Sequence, residues 1–147
     1  MSRGKLSQAE AERLLKMLKN SVEKEIQFPG KGYKTEFQVI GDTPRDVFTL
    51  HIYRGTKNNK KYDFGARVKI CDKPLLELHI NPGAAHINPD GKKITGSHWH
   101  IYTEKYGRDL AFPAENIQSD KFVENTILFL ERFNVVQKPN VQLQLEF

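Results

Sequence analysis

The sequence predicts an α+β fold. It reads as one domain over residues 1–147, a mainly antiparallel twisted sheet of about five to six strands. An N-terminal and a C-terminal helix are expected to pack on one face of that sheet. Three observations predict this. Apolar residues recur at helical spacing near each end of the chain. Between those ends the period changes to two, repeatedly, in short runs. Turn-forming residues separate the runs at intervals too short for crossover helices, which favours antiparallel pairing.

The first helix opens at Ser7-Gln8-Ala9-Glu10, a capping-box pattern in which serine and glutamate satisfy free backbone N–H groups. Ala11, Leu14, Leu15, Leu18, Val22 and Ile26 continue it as one apolar face, and Phe28-Pro29-Gly30-Lys31-Gly32 ends it. Tyr33, Thr35, Phe37 and Val39 then form the buried side of a strand, and Gly41-Asp42-Thr43-Pro44 turns the chain. Phe48, Leu50 and Ile52 give a second strand, followed by a lysine- and asparagine-rich turn at 57–61. Tyr62, Phe64, Ala66, Val68 and Ile70 give a third, Leu76, Leu78 and Ile80 a fourth. Asn81-Pro82-Gly83 stops the fourth strand, and Asn88-Pro89-Asp90-Gly91 is a turn. A fifth strand is expected over His98–Glu104 and a short extended piece over Leu110–Pro113. Ser119 or Asp120 caps the second helix, whose stripe is Phe122, Val123, Ile127, Leu130 and Phe133. Val141, Leu143, Leu145 and Phe147 alternate in a last strand.

Composition narrows the functional class. The chain is 38% hydrophobic and 28% charged, which suits a globular protein. No apolar run reaches the roughly 18–20 residues of a membrane span, and the N-terminus lacks the apolar core of a signal peptide. A cytoplasmic protein without membrane partners is therefore expected. The lone Cys71 cannot form an internal disulfide and reads as a structural thiol before a nucleophile. The net charge of +5 permits attraction to nucleic acid or to an acidic protein.

Residues 79–113 hold four of the five histidines and the only tryptophan. Strand parity sorts them, because side chains two apart share a face. His51, His79, His98 and His100 all oppose the apolar positions of their strands, and Arg67, Lys69, Glu77, Tyr102 and Glu104 project with them. The 81–97 loop is long enough to fold over that face. Trp99 and Ile101 point to the core.

Three chemistries fit such a face. His98 and His100, with His79 and His86, make a ligand set for zinc or another divalent transition metal. Asp90 and Glu104 are further ligand candidates. The His98-x-His100-x-x-x-Glu104 spacing also resembles the ligand core of the first cupin motif, although the flanking glycines are displaced and no second motif follows. Without a metal, His98 and His100 would serve as catalytic base and acid, with Glu104 as a further catalytic candidate and Arg67, Lys69 or Arg108 steadying developing charge. Recognition without catalysis is the third chemistry, with Arg67, Lys69, Tyr102, Tyr106 and Arg108 as binding residues.

Residues 86–113 carry a block: His86, Asn88-Pro89-Asp90-Gly91, His98, His100, Tyr102, Glu104, Tyr106-Gly107 and Ala111-Phe112-Pro113. This block resembles that of an uncharacterised family of small bacterial proteins, often carried by prophages and other mobile elements. The resemblance implies a protein that acts by binding a host macromolecule, a host protein or nucleoprotein first and nucleic acid second. An anti-CRISPR-like inhibitor of a host defence nuclease is one form of this. A toxin-like histidine-dependent nuclease or other hydrolase is the alternative.

Overall fold

The computed structural model describes residues 5–56 and 61–143. The lysine–asparagine turn at 57–60 and the C-terminal positions 144–147, with Leu145 and Phe147, lie outside the described residues. In chain order the elements are α1 (Gln8–Lys16), β1 (Lys19–Ser21), β2 (Glu25–Phe28), β3 (Lys34–Ile40), β4 (Val47–Arg54), β5 (Tyr62–Val68) and β6 (Lys73–Ile80). Then follow β7 (Ala85–Ile87), β8 (Lys93–Thr95), β9 (His98–Ile101), β10 (Ala111–Pro113), α2 (Phe122–Arg132), β11 (Val135–Gln137) and β12 (Asn140–Leu143).

The fold is α+β with two helices among the described residues and one large sheet of eight strands, ordered β10-β9-β6-β5-β4-β3-β1-β11. The expected antiparallel meander is its centre, β3 to β6. The sheet is larger than predicted and mixed, because β1 pairs with β11 in parallel at one edge. The two strands of this sheet that periodicity missed, β1 and β11, are three residues long, too short to show an alternation, while the extended piece expected over Leu110–Pro113 is β10. Two small ladders complete the structure, β2 with β12 and the β7–β8 hairpin.

One face of the sheet is the core. Phe48, Leu50, Ile52, Phe64, Leu76, Leu78 and Ile80 form one buried cluster with Ala11, Leu14 and Met17 of the α1 segment and Phe129, Leu130 and Phe133 of the α2 segment. Phe129 stacks on Phe64 at 5.4 Å, and Phe133 meets Phe48 edge-on at 5.3 Å. Each such side chain contributes roughly 1.5–3 kcal/mol by leaving water. The face of α2 is rotated from the predicted stripe. Asn125 and Thr126 are buried while Ile127 is exposed. Asn125 is satisfied there, donating to the Tyr62 hydroxyl at 2.8 Å and the Gln118 carbonyl at 2.9 Å. Neither Ser119 nor Asp120 caps α2, which begins from Lys121 without a side-chain cap.

The first helix is half as long as its apolar pattern suggests. Ser7 caps it as expected, accepting from the Glu10 N–H at 3.1 Å. It stops before Met17, and Leu18 and Val22 are left 64% and 53% exposed. The cause is Lys19, which is fully buried. Its ammonium donates to the carbonyls of Leu15 at 3.2 Å, Met17 at 2.8 Å and Phe133 at 2.9 Å, and lies 3.8 Å from the centre of the Phe133 ring. Burial pulls its pKa down to about 7, against the charge of Asp42. Three carbonyls and an aromatic face favour the protonated form, because an ammonium has three donors and no acceptor. Cations belong at helix C-termini, where carbonyls lack partners. Asn134, at φ +61°, adds a bond from its amide to the Leu15 carbonyl at 2.8 Å. The ends of both helices are thus tied at one point.

Lys19→Met keeps the length of the side chain and removes those three donors. Equilibrium urea unfolding should show a loss on the order of 3 kcal/mol, as the stranded carbonyls pay their desolvation cost. An unchanged midpoint would mean that the ammonium contributes nothing net.

Candidate metal centre

The sheet face opposite the core carries the histidines because the register puts them there. Two rows of directly paired residues cross it. One runs Glu36, His51, Gly65, Glu77, His100, and the other runs Tyr53, Asp63, His79, His98. A bulge in the β5–β6 pairing, between Ala66 and Arg67, takes up Leu75, so Leu75 and Leu76 are both buried while Glu77 and His79 keep to the far face.

His79, His98 and His100 converge. Their ring centres lie 4.8–5.1 Å apart, and one ring nitrogen from each lies within 4.8 Å of the others. Their outward nitrogens are held by acceptors. The Gly96 carbonyl accepts from His98 Nδ1–H at 2.9 Å, and the Arg108 carbonyl accepts from His100 Nδ1–H at 2.7 Å. Both rings therefore keep a lone pair on Nε2. The Glu77 carboxylate accepts from His79 Nε2–H at 3.1 Å, which leaves Nδ1 of that ring for a ligand. Imidazoles that bind metals are commonly fixed in this way, by a carbonyl or carboxylate on the second nitrogen. A tetrahedral ion with bonds of about 2.0–2.1 Å sets its nitrogens roughly 3.4 Å apart, a spacing that side-chain rotation from 4.8 Å can reach.

Burial tunes these groups. His98 and His100 are only 5% and 6% exposed. Burial, reinforced by His79 and His98, pushes the His100 pKa down to about 4, and burial lowers that of His98. Both stay in the neutral form that a metal requires. Burial would raise the pKa of Glu77. Hydrogen bonds from His79 and Arg108 outweigh it and hold the carboxyl at about 2. Arg108 grips Glu77 through two nitrogens, with Nε donating to Oε2 at 2.6 Å and Nη2 to Oε1.

The 81–97 excursion covers this centre, as its length suggests. It forms the β7–β8 hairpin, turning through 88–91 with Gly91 at φ +89°. Asn88 clasps β10, accepting from the Ala111 N–H at 2.8 Å and donating to the Ala111 carbonyl at 2.9 Å. That clasp sets His86 beside the triad, 5.0 Å from the His100 ring and 5.8 Å from His98. The ligand atoms of His86 fall outside the convergent group. Its Nε2 donates to the Asp109 carbonyl at 2.7 Å.

Beside the triad an open cleft of about 520 Å³ runs over Gly65, with His79, Glu77 and Arg108 at one side and His51 and Arg67 at the other. Arg67 is braced by Glu36 at 2.8 Å and Asp72 at 2.6 Å. The residue at position 65 is glycine because His51 lies across it. A Cβ there would fall 2.2 Å from His51 Cε1.

The expected site residues therefore divide. His79, His98 and His100 meet, with His86 stacked beside them and Arg108 joined through Glu77. Arg67 stands across the cleft. Tyr102 leaves the histidine face, because the alternation ends with β9 at Ile101. Its ring joins the core and its hydroxyl donates to the Leu6 carbonyl at 2.8 Å. Glu104 is drawn to the start of α1 instead, where it accepts from the Gln8 N–H at 2.9 Å. Lys69 lies past the end of β5 beside Pro44, Arg45 and Ile70. Tyr106 sits in the 103–107 turn under Lys105, and is not part of the cleft lining. Asp90 binds the Lys92 N–H within its own turn. Trp99 stacks on Phe129 at 6.3 Å, as a core residue would, and Cys71 packs partly buried against the core. Glu77 and His51 share the parity of the site histidines, so the sequence located them without giving them a role. Nothing in the sequence marked Gly65.

In chelator-treated protein the site should lose stability on acidification in two stages. An unfolded histidine protonates near 6.5 while folded His100 resists to about 4. Its contribution is therefore complete above about 6.5 and falls away toward 4. Glu77 behaves likewise from 4.5 down to about 2. Urea midpoints measured from pH 8 to 3 should drop through the first window in the wild type and drop less in His100→Gln. Parallel curves for the two proteins would contradict this assignment.

Searches of the curated proteins and of the solved structures each returned no significant match. Residues 6–135 match one family across most of the chain, and the protein belongs to it: the family of unknown function DUF6978.

Proposed function

We propose that the protein is a metal-dependent hydrolase whose ion is held by His79, His98 and His100. The observation that carries this is the convergence, among the described residues, of three imidazole nitrogens and no fourth ligand at the side of a cleft. Closed structural zinc sites use four protein ligands, whereas catalytic ones use three and leave a position for water or substrate. His79 belongs both to the triad and to the wall of the cleft, so the vacant position is expected on that side. A zinc-class ion there would supply a bound water acidic enough to attack an ester or phosphoester at neutral pH. Glu77 orients His79, and the Gly96 and Arg108 carbonyls orient the other two rings.

One observation favours a second reading. His98 and His100 are almost fully buried. An ion held there would clamp β6 to β9 and fix the rings that bond the Gly96 and Arg108 carbonyls of the adjoining loops, and would leave the surface to do the work. The protein would then act by binding a host protein or nucleoprotein, for example as an inhibitor of a defence nuclease.

Metal analysis after purification in zinc should give about one ion per chain, lost in His98→Ala and His100→Ala. Under the hydrolase reading, chelation abolishes cleavage of bis(p-nitrophenyl) phosphate or p-nitrophenyl acetate while the far-ultraviolet spectrum persists. Under the second reading, chelation lowers the melting temperature by ten degrees or more, on the order of 3 kcal/mol, and neither ester is cleaved at any stage. A wild type that binds no divalent ion overturns both.

A further inference from the structure

The fifth histidine, His51, is set apart from the triad and is not needed to hold the ion. Its placement is nevertheless specified by two other residues. Gly65, directly opposite it on β5, has no side chain, and the imidazole fills the space. A Cβ at 65 would lie 2.2 Å from Cε1, 2.7 Å from Nε2 and 2.9 Å from Nδ1. The ring therefore lies across β5, toward the strand of Glu77, which pairs with Gly65 from the other side. The second residue is Arg67, whose Nη1 lies 3.4 Å from His51 Nδ1. A guanidinium only donates, so Nδ1 is the acceptor and the proton of the neutral ring sits on Nε2. His51 thus presents an N–H donor to the cleft that it lines.

The charge of the cleft indicates what that donor meets. Its lining holds three cations, Lys34, Arg67 and Arg108, and three carboxylates, Asp63, Asp72 and Glu77, which cancel. A divalent ion at the triad leaves the cleft with a surplus of two positive charges. That surplus suits a dianion. The strand of His51 and the strand of His79 are separated by β5 alone. The two residues stand in neighbouring rows of the face, so about 9–10 Å across the strands and about 7 Å along them separates their backbones, which leaves room for an anion between the rings.

We infer that His51, laid over Gly65, donates a hydrogen bond from Nε2 to a phosphoryl-class oxyanion seated in the cleft between it and the histidine centre. The inference rests on the metal reading above and adds to it a substrate class and a specificity-determining residue. Gly65 acts through His51 and is a positioning residue.

The test is calorimetric titration of the zinc-loaded protein with inorganic phosphate, with zinc content measured on each variant. His51→Ala should weaken phosphate binding roughly tenfold to a hundredfold, the loss of one hydrogen bond to a charged group, with zinc content unchanged. His51→Gln, which retains an N–H donor, should recover part of the loss. Gly65→Ala should weaken binding as His51→Ala does, because the new methyl expels the ring. In the His51→Ala background, Gly65→Ala should then cost nothing further, whereas a merely structural role for the glycine would make the two losses add. Full zinc with wild-type phosphate affinity in His51→Ala overturns this inference and leaves the metal centre standing. Absence of zinc from the wild type overturns the metal centre and this inference together.

Discussion

The β6–β9 register is the constraint on which the rest depends. It sets Glu77 opposite His100 and His79 opposite His98, and fixes Leu78 against Trp99 on the core side. A slip of β9 by one residue would turn His98 and His100 into the hydrophobic cluster and expose Trp99. Burial of the apolar face therefore enforces convergence of the polar one. The site needs no separate folding energy to align its strands, because the core residues interleaved with the histidines already do so.

Two buried charged residues hold the parts that the sheet does not. Lys19 collects carbonyls from the ends of both helix segments, and Glu77 collects His79 from its own strand and Arg108 from a loop 31 residues away. Isolated charges in such positions would cost several kcal/mol. Each instead meets a full set of partners, and its cost becomes a requirement that distant segments arrive together. Neither residue makes the fold more hydrophobic. Both make its alternatives worse, since any arrangement lacking one partner strands a charge.

Legibility in the sequence followed the physics of each element. The four central strands were readable because seven or eight residues with one buried face give a full alternation. Parity then placed His51, His79, His98 and His100 on one face. The reading failed where tertiary contacts override local pattern. Leu18 and Val22 fit a helical stripe perfectly well, yet Lys19 between them ends the helix through a carbonyl of Phe133, 114 residues away. Tyr102 and Glu104 continue the parity of His98 and His100, but the strand stops at Ile101, and beyond it parity carries no information. The β1–β11 pairing joins the two ends of the chain, and no local signal encodes it.

The histidines of the site lean on the chain more than on other side chains. His86, His98 and His100 each give a ring proton to a backbone carbonyl, those of Asp109, Gly96 and Arg108. A carbonyl is present whatever residue bears it. The chemistry of three imidazoles is therefore written into the path of two short loops, and the identities along those loops are largely released from that duty. Sequence drift at Asp109 leaves the acceptor in place as long as the backbone can follow the same route, whereas Gly96, at φ +80°, is held to glycine by the turn itself. Insertion or deletion of a single residue in either loop moves the acceptor away and frees the ring to turn over. Among relatives, the signature of this centre is then the length of the segments around the histidines as much as the letters within them.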